Sequence, residues 1–195
     1  PQLDVAARGF SYREDGPLDM RMDQESNTLT AAMIVNTYSQ GELTSIFRTY
    51  GEEKFAASIA KNIVLERKKA PINTTLELVK IIKASLPSKV LRKPGHPAKQ
   101  VFQALRIAVN DELNILEETL LNILPMLKNG GRLAVISFHS LEDRIVKNTF
   151  KKFAVIEGNR RIPYQETPKY RLINRKVIIP SLEEVEKNPR AKSAK

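Results

Sequence analysis

The chain contains no cysteine, which excludes disulfides and every thiolate metal site. Histidine is almost as scarce, with His96 and His139 alone, too few for a zinc site of the usual kind, so no metal is expected. No apolar run approaches the length that crosses a bilayer and no leader peptide is visible, so a cytoplasmic protein without a membrane anchor is expected. The eight glycines, at 9, 16, 41, 51, 95, 130, 131 and 158, spell neither G-x-G-x-x-G nor a P-loop. A nucleotide site complete within these residues is therefore not expected.

What is present is 195 residues, 42% of them hydrophobic, enough for one sizeable core or a core and a small subdomain. The net charge of +10 is placed unevenly: −3 over residues 1–25, +6 over 26–96, −2 over 97–143 and +9 over 144–195. Basic regions flanking acidic ones suit a polyanionic partner such as RNA, and equally a well-solvated surface.

Residues 1–25 are turn-rich and acidic, and Asp15-Gly16-Pro17 forces a turn. From Thr28 the apolar spacing becomes helical. Leu43, Ile46, Phe47 and Tyr50 keep intervals of three and four, as do Phe55, Ile59, Ile63 and Val64. Pro71 ends that run, and Thr74 with Glu77 is a capping box opening the next helix. After a basic loop at 85–97, one long helix is expected from about Ala98 to Leu124, with Phe102, Leu105, Val109, Leu113 and Leu116 in the core.

The stretch 130–147, G-G-R-L-A-V-I-S-F-H-S-L-E-D-R-I-V-K, reads as a turn, an apolar strand at 132–138, a polar cluster and a basic helix. Ser140 with Asp143 is a capping pair, so the helix is expected to begin at Leu141. Ser137, Phe138 and His139 then stand at a strand's carboxyl end, where open α/β sheets bind ligands. Further strands are expected at 170–173 and 176–179, with a short helix capped by Ser181 and Glu184. The final residues, N-P-R-A-K-S-A-K, are basic and small enough to be disordered. A helical block bracketed by loop and α/β pieces suggests an insertion into an α/β domain.

Five blocks stand in order along the chain: P-Q-L-D-V-A-A-R-G-F-S-Y-R-E-D-G-P-L-D-M-R-M-D, T-Y-G-E-E-K-F-A, H-P-A-K-Q-V-F-Q-A-L-R-I-A-V-N-D-E-L, G-G-R-L-A-V-I-S-F-H-S-L-E-D-R and N-P-R-A-K-S-A-K. Together they resemble the ribosomal RNA small subunit methyltransferase H family, bacterial 16S rRNA cytosine-N4 methyltransferases. The resemblance implies an α/β fold, the C-terminal part of a Rossmann-like S-adenosyl-L-methionine-dependent methyltransferase with an inserted all-α subdomain. Residues 1–25 and 110–195 would form the methyltransferase core and 26–109 the helical insertion. The implied partner is 16S rRNA within the small ribosomal subunit, with no DNA and no membrane. Oligomeric state stays open, a homodimer included. In the family a strand, a glycine-rich loop and acidic donor contacts precede the P-Q-L-D segment, and the family's Ser-Ser-Pro-Gln is represented by Pro1-Gln2. By itself, the 195-residue polypeptide is expected neither to bind the donor well nor to turn over.

The exocyclic amine of cytosine is a poor nucleophile because its lone pair is delocalised into the ring. Methylating it requires acceptors aimed at its N–H groups and an exit for the proton. By its match to the family motif, the Pro1 carbonyl is a candidate acceptor and Gln2 the candidate donor-binding residue. His139 is a candidate for relaying a proton or meeting the target nucleotide; capping the following helix is the competing account. Phe10 and Tyr12 could stack on a flipped base, or pack in the core. Asp15, Asp19, Arg21 and Asp23 could brace their loop by ion pairs. Arg144 and Lys147, one helical turn apart, are candidates for RNA phosphate, as are Lys61, Arg67, Lys68 and Lys69 and, in the basic loop, Lys89, Arg92 and Lys93. On the residues alone, a non-catalytic RNA- or ribosome-binding protein and a DNA amino-methyltransferase also stay open.

Overall fold

The structure, a computed structural model, describes residues 5–154, 169–174 and 176–195. The chain divides into two compact units, Pro1–Glu112 and Leu113–Lys195.

The first unit is built on helices α1 (Ala31–Thr37), α2 (Gln40–Thr49), α3 (Ala56–Glu66), α4 (Thr75–Ala84), α5 (Ser88–Leu91) and α6 (Lys99–Asn110). Their starts are set locally. Thr30 accepts the N–H of Met33, and complete capping boxes join Ser39 to Glu42 and Thr74 to Glu77. The Ser39 hydroxyl holds the Glu42 carboxyl below the usual carboxylate range, so this box is charged at neutral pH.

Helix α3 packs against α1, α2 and α4, while α6 lies against α1 and α2. Phe47, Ile59, Ile63, Leu78, Ile82 and Leu105 are fully buried among them. Each such side chain contributes about 1.5–3 kcal/mol of transfer free energy. Phe10, Leu18 and Met20 join the same core, so the acidic opening segment lies in one compact unit with the helical block.

That segment is held by polar contacts as well as by its three apolar anchors. Asp19 accepts Arg21 Nε at 2.7 Å and Nη2 through its other oxygen at 2.9 Å, and the guanidinium keeps the Asp19 carboxyl below its ordinary range. Asp15 has no ion-pair partner among the described residues: it accepts the N–H of Leu76 and serves the start of α4. Asp23 accepts the N–H groups of Glu25 and Ser26 and closes a turn. Of the four residues expected to brace the loop by ion pairs, Asp19 and Arg21 do so.

The expected continuous helix from Ala98 to Leu124 is interrupted. Asp111 takes a left-handed conformation (φ 50°), its N–H bonded to Ile107 O, and α6 ends there. A residue with positive φ cannot continue a right-handed helix. The next helix, α7 (Glu112–Ile123), starts at once. Leu113 and Leu116 are half-buried, while Phe102, Leu105 and Val109 are core residues as expected.

The second unit continues through a 3-10 turn (Leu124–Met126), α8 (Ser140–Ala154), α9 (Leu182–Lys187) and a 3-10 helix (Pro189–Ser193). The strands expected at 132–138, 170–173 and 176–179 do not form a ladder among the described residues. The single β-bridge there joins Pro17 to Thr74. An extended run becomes a strand only when a neighbour takes up its N–H and C=O groups. In 132–138, Ser137 is the residue so served: its N–H donates to Lys195 O at 3.0 Å and its carbonyl accepts the Lys195 N–H at 2.9 Å. Ile136, in the run expected to form an apolar strand, is 72% exposed.

The basic final octapeptide, small enough to be disordered, is ordered. Asn188 caps the 3-10 helix by accepting the N–H of Arg190, Ala191 is buried, and Lys195 pairs with Ser137. Lys195 Nζ also lies 3.6 Å from Asp143 Oδ2.

Candidate functional site

Among the described residues of the second unit, the 137–143 turn gathers several side-chain hydrogen bonds. The expected cap, Ser140 to Asp143, is displaced by one residue. His139 Nδ1 accepts the N–H of Glu142 at 3.3 Å. The Glu142 carboxylate reaches back to the N–H groups of Phe138, at 2.7 Å, and His139, at 3.2 Å. This is a capping box in which an imidazole nitrogen does the work of a hydroxyl. It assigns the acceptor role to Nδ1 and leaves the proton of a neutral ring on Nε2, which lies 3.3 Å from Glu142 Oε1. Of the two accounts of His139, helix capping is the geometry observed.

Asp143 faces inward and is mostly buried. It accepts Lys147 Nζ at 2.8 Å, and with Lys195 also near, its carboxyl is held below the ordinary range, the Lys147 hydrogen bond being the larger cause. Lys147 is thus a half-neutralised cation, while Arg144 is exposed on the same helix.

Beside this turn lies an open groove of about 360 Å³. Phe138, His139 and Ser140 line it with Ile179, Pro180 and Val185, and Lys192, Ser193, Ala194 and Lys195 complete the wall. The strap of residues 188–195 was not singled out as part of a site by sequence reasoning; its basic composition was the available signal.

The other candidates lie in the first unit or outside the described residues. Pro1 and Gln2 are among the latter. Phe10 is 5% exposed within the core, so packing accounts for it and it offers no open face to a base. Tyr12 is half-buried and stacked on His96, with ring centroids 4.5 Å apart and planes 18° from parallel. Burial, with Lys83 and Arg13 adding to it, depresses the His96 pKa, so this ring is neutral at neutral pH.

Lys61, Lys68, Lys69, Lys89, Arg92 and Lys93 are exposed, Lys69 pairing with Glu66 at 2.7 Å. Arg67 departs from its cluster. Its Nη1 donates to Val35 O at 2.8 Å and Tyr38 O at 2.6 Å, capping the end of α1 rather than facing solvent.

Every one of the 195 residues falls within a match to the MraW methylase family, residues 1–195. The chain belongs to that family. Three curated relatives, each named ribosomal RNA small subunit methyltransferase H, are similar across the whole chain. The Mesoplasma florum protein is 56% identical over 200 residues, covering 100% of this chain and 64% of the relative. The Halothermothrix orenii protein is 50% identical, with 100% and 64% covered, and the Streptococcus mutans protein 50% identical, with 100% and 62%. The chain therefore spans just under two thirds of the length of these relatives.

Membership in a methylase family suggests S-adenosylmethionine as donor, a molecule with a cationic sulfonium and a ribose diol. The described residues of the groove do not fit it. Lys192 and Lys195 border the space, no Asp or Glu side chain lines it, and the nearby Glu142 and Asp143 are occupied by backbone N–H groups and lysines. No helix among the described residues is long and apolar enough to cross a membrane.

Proposed function

We propose that the protein methylates the exocyclic N4 of a cytidine in 16S rRNA of the small ribosomal subunit, with S-adenosylmethionine as donor. The observation that carries this reading is the family match over all 195 residues, joined by three relatives that bear the name of an rRNA methyltransferase. The fold that goes with it is an α/β Rossmann-like core, residues 1–25 and 110–195, interrupted by the helical block 26–109. Pro1 and Gln2 are assigned to the methyl-transfer site, and the reaction to the cytoplasm, where its substrate is made.

On this proposal the chain's cations supply position. Lys68, Lys69, Arg92, Lys93, Arg144 and Lys147 contact phosphate, which brings salt-sensitive affinity without choosing the base. The choice of amine belongs to acceptors at the transfer site. By themselves, the 195 residues are assigned no turnover.

The test is methyl transfer from tritiated S-adenosylmethionine to small ribosomal subunits and to DNA, with nucleoside mass spectrometry of the product. N4-methylcytidine in 16S rRNA from the full-length protein, and none from the 195-residue polypeptide, is the expected result. Methylation of DNA, or of another base, overturns the substrate. RNA binding without transfer by the full-length protein returns the assignment to a non-catalytic binder.

A further inference from the structure

The groove beside the 137–143 turn combines two properties that no role given above uses. It is apolar at Phe138, Ile179, Pro180 and Val185, and Phe138 and Ile179 are 55% and 70% exposed. It also carries lysine ammonium groups. Lys192 has no hydrogen-bond or ion-pair partner among the described residues, Lys195 Nζ is only partly offset by Asp143 at 3.6 Å, and no Asp or Glu side chain lines the groove.

Both halves are held in place. Glu142 pins the backbone N–H of Phe138, so the ring stands on a fixed stem. Lys192 lies in a 3-10 helix capped by Asn188 and tied to Ser137 through Lys195. A fixed aromatic face beside an unpaired ammonium matches a ligand that is planar at one end and anionic at the other. The volume of about 360 Å³ falls among small-ligand pockets, which run from roughly 300 to 1,000 Å³.

We infer that this groove holds one unpaired nucleotide of an RNA strand, its base against Phe138 and Ile179 and its phosphate on Lys192. The partner class rests on the function proposed above. Within that class the groove selects single-stranded over paired RNA, because a base inside a duplex has no free face to give to Phe138. Stacking of this kind tolerates any base, so the groove grips a nucleotide for position and leaves recognition of the target to the transfer site.

The test uses a short, unstructured, fluorescein-labelled oligoribonucleotide and fluorescence anisotropy over a series of potassium chloride concentrations, with the full-length protein. Phe138→Leu keeps an apolar side chain and the backbone bond to Glu142. It should weaken binding about tenfold without altering the salt slope, and Phe138→Tyr should restore the affinity. Lys192→Gln should weaken binding and reduce the slope of log K against log salt by about 0.7. A fully paired duplex should compete poorly. Thermal melting of each variant separates loss of binding from loss of fold. Unchanged binding by both Phe138→Leu and Lys192→Gln, or equal competition by duplex, overturns the groove. If methyl transfer to subunits still occurs in that case, the proposed function stands. If oligonucleotide binding responds as expected but no transfer occurs, the groove stands and the function falls.

Discussion

Glu142 and His139 cap each other: the carboxylate accepts the N–H of His139 at 3.2 Å, and the imidazole Nδ1 accepts the N–H of Glu142 at 3.3 Å. The exchange satisfies donors that the first turn of α8 would otherwise leave open. Glu142→Ala and His139→Ala should each lower stability by about 1 kcal/mol in urea unfolding, the ordinary cost of a lost cap. His139→Asn should keep most of it, since an amide oxygen can stand where Nδ1 does. An asparagine variant as unstable as the alanine variant would contradict the capping role.

Arg67 and Lys68 are neighbours in sequence with opposite assignments. Arg67→Met removes two charge-assisted bonds to Val35 O and Tyr38 O and should cost about 1–2 kcal/mol. Its effect on the salt dependence of RNA binding should be negligible. Lys68→Gln should leave the melting temperature unchanged and flatten that salt dependence. Equal effects of the two on RNA affinity would remove the distinction.

Stacked on Tyr12, His96 binds its proton less readily than a free imidazole, whose ordinary value is 6.5. As pH falls through 6.5 the unfolded chain therefore takes up that proton first. Stability is full above that pH and declines below it, until the folded imidazole also protonates. His96→Gln should make the decline shallower between pH 6.5 and the onset of carboxylate protonation, as read by urea midpoints at each pH.

Gly9 has φ +73°, and a Cβ there would lie 2.2 Å from Pro17 O and 2.7 Å from Asp19 N. Both obstacles are backbone, so neither can swing aside. Gly9→Ala should destabilise the first unit by at least about 2 kcal/mol. Retention of the wild-type melting temperature would show that the 5–22 segment is not packed as described.

What was legible in the sequence was whatever is decided within about four residues. Thr74 and Glu77 announce α4 because both hydrogen bonds of the box close inside one turn. Ser181 announces α9 with half of that exchange, its hydroxyl accepting the N–H of Glu184. At the start of α8 two overlapping i, i+3 pairs compete, Ser140 with Asp143 and His139 with Glu142. The second wins, and Asp143 turns to Lys147 instead. Arg67 was read as a surface cation because its acceptors lie 29 and 32 residues away. The 132–138 run illustrates a different limit. Its apolar composition describes what the segment can bury, whereas a strand also needs a neighbour, and composition says nothing about that. The groove was hidden for a related reason: Phe138 and Lys192 are 54 positions apart in the chain.

The Arg8 guanidinium donates to the carbonyls of Arg21 and Met22, both at 2.8 Å. A protease must draw its substrate out into an extended thread, and those carbonyls are already spoken for. Trypsin should therefore pass over the cleavable bonds after Arg8 and Arg21, although the surrounding residues look like an unstructured leader. Among the described residues it should cut more readily after Arg92, in the exposed turn that follows the short α5, than after either of these.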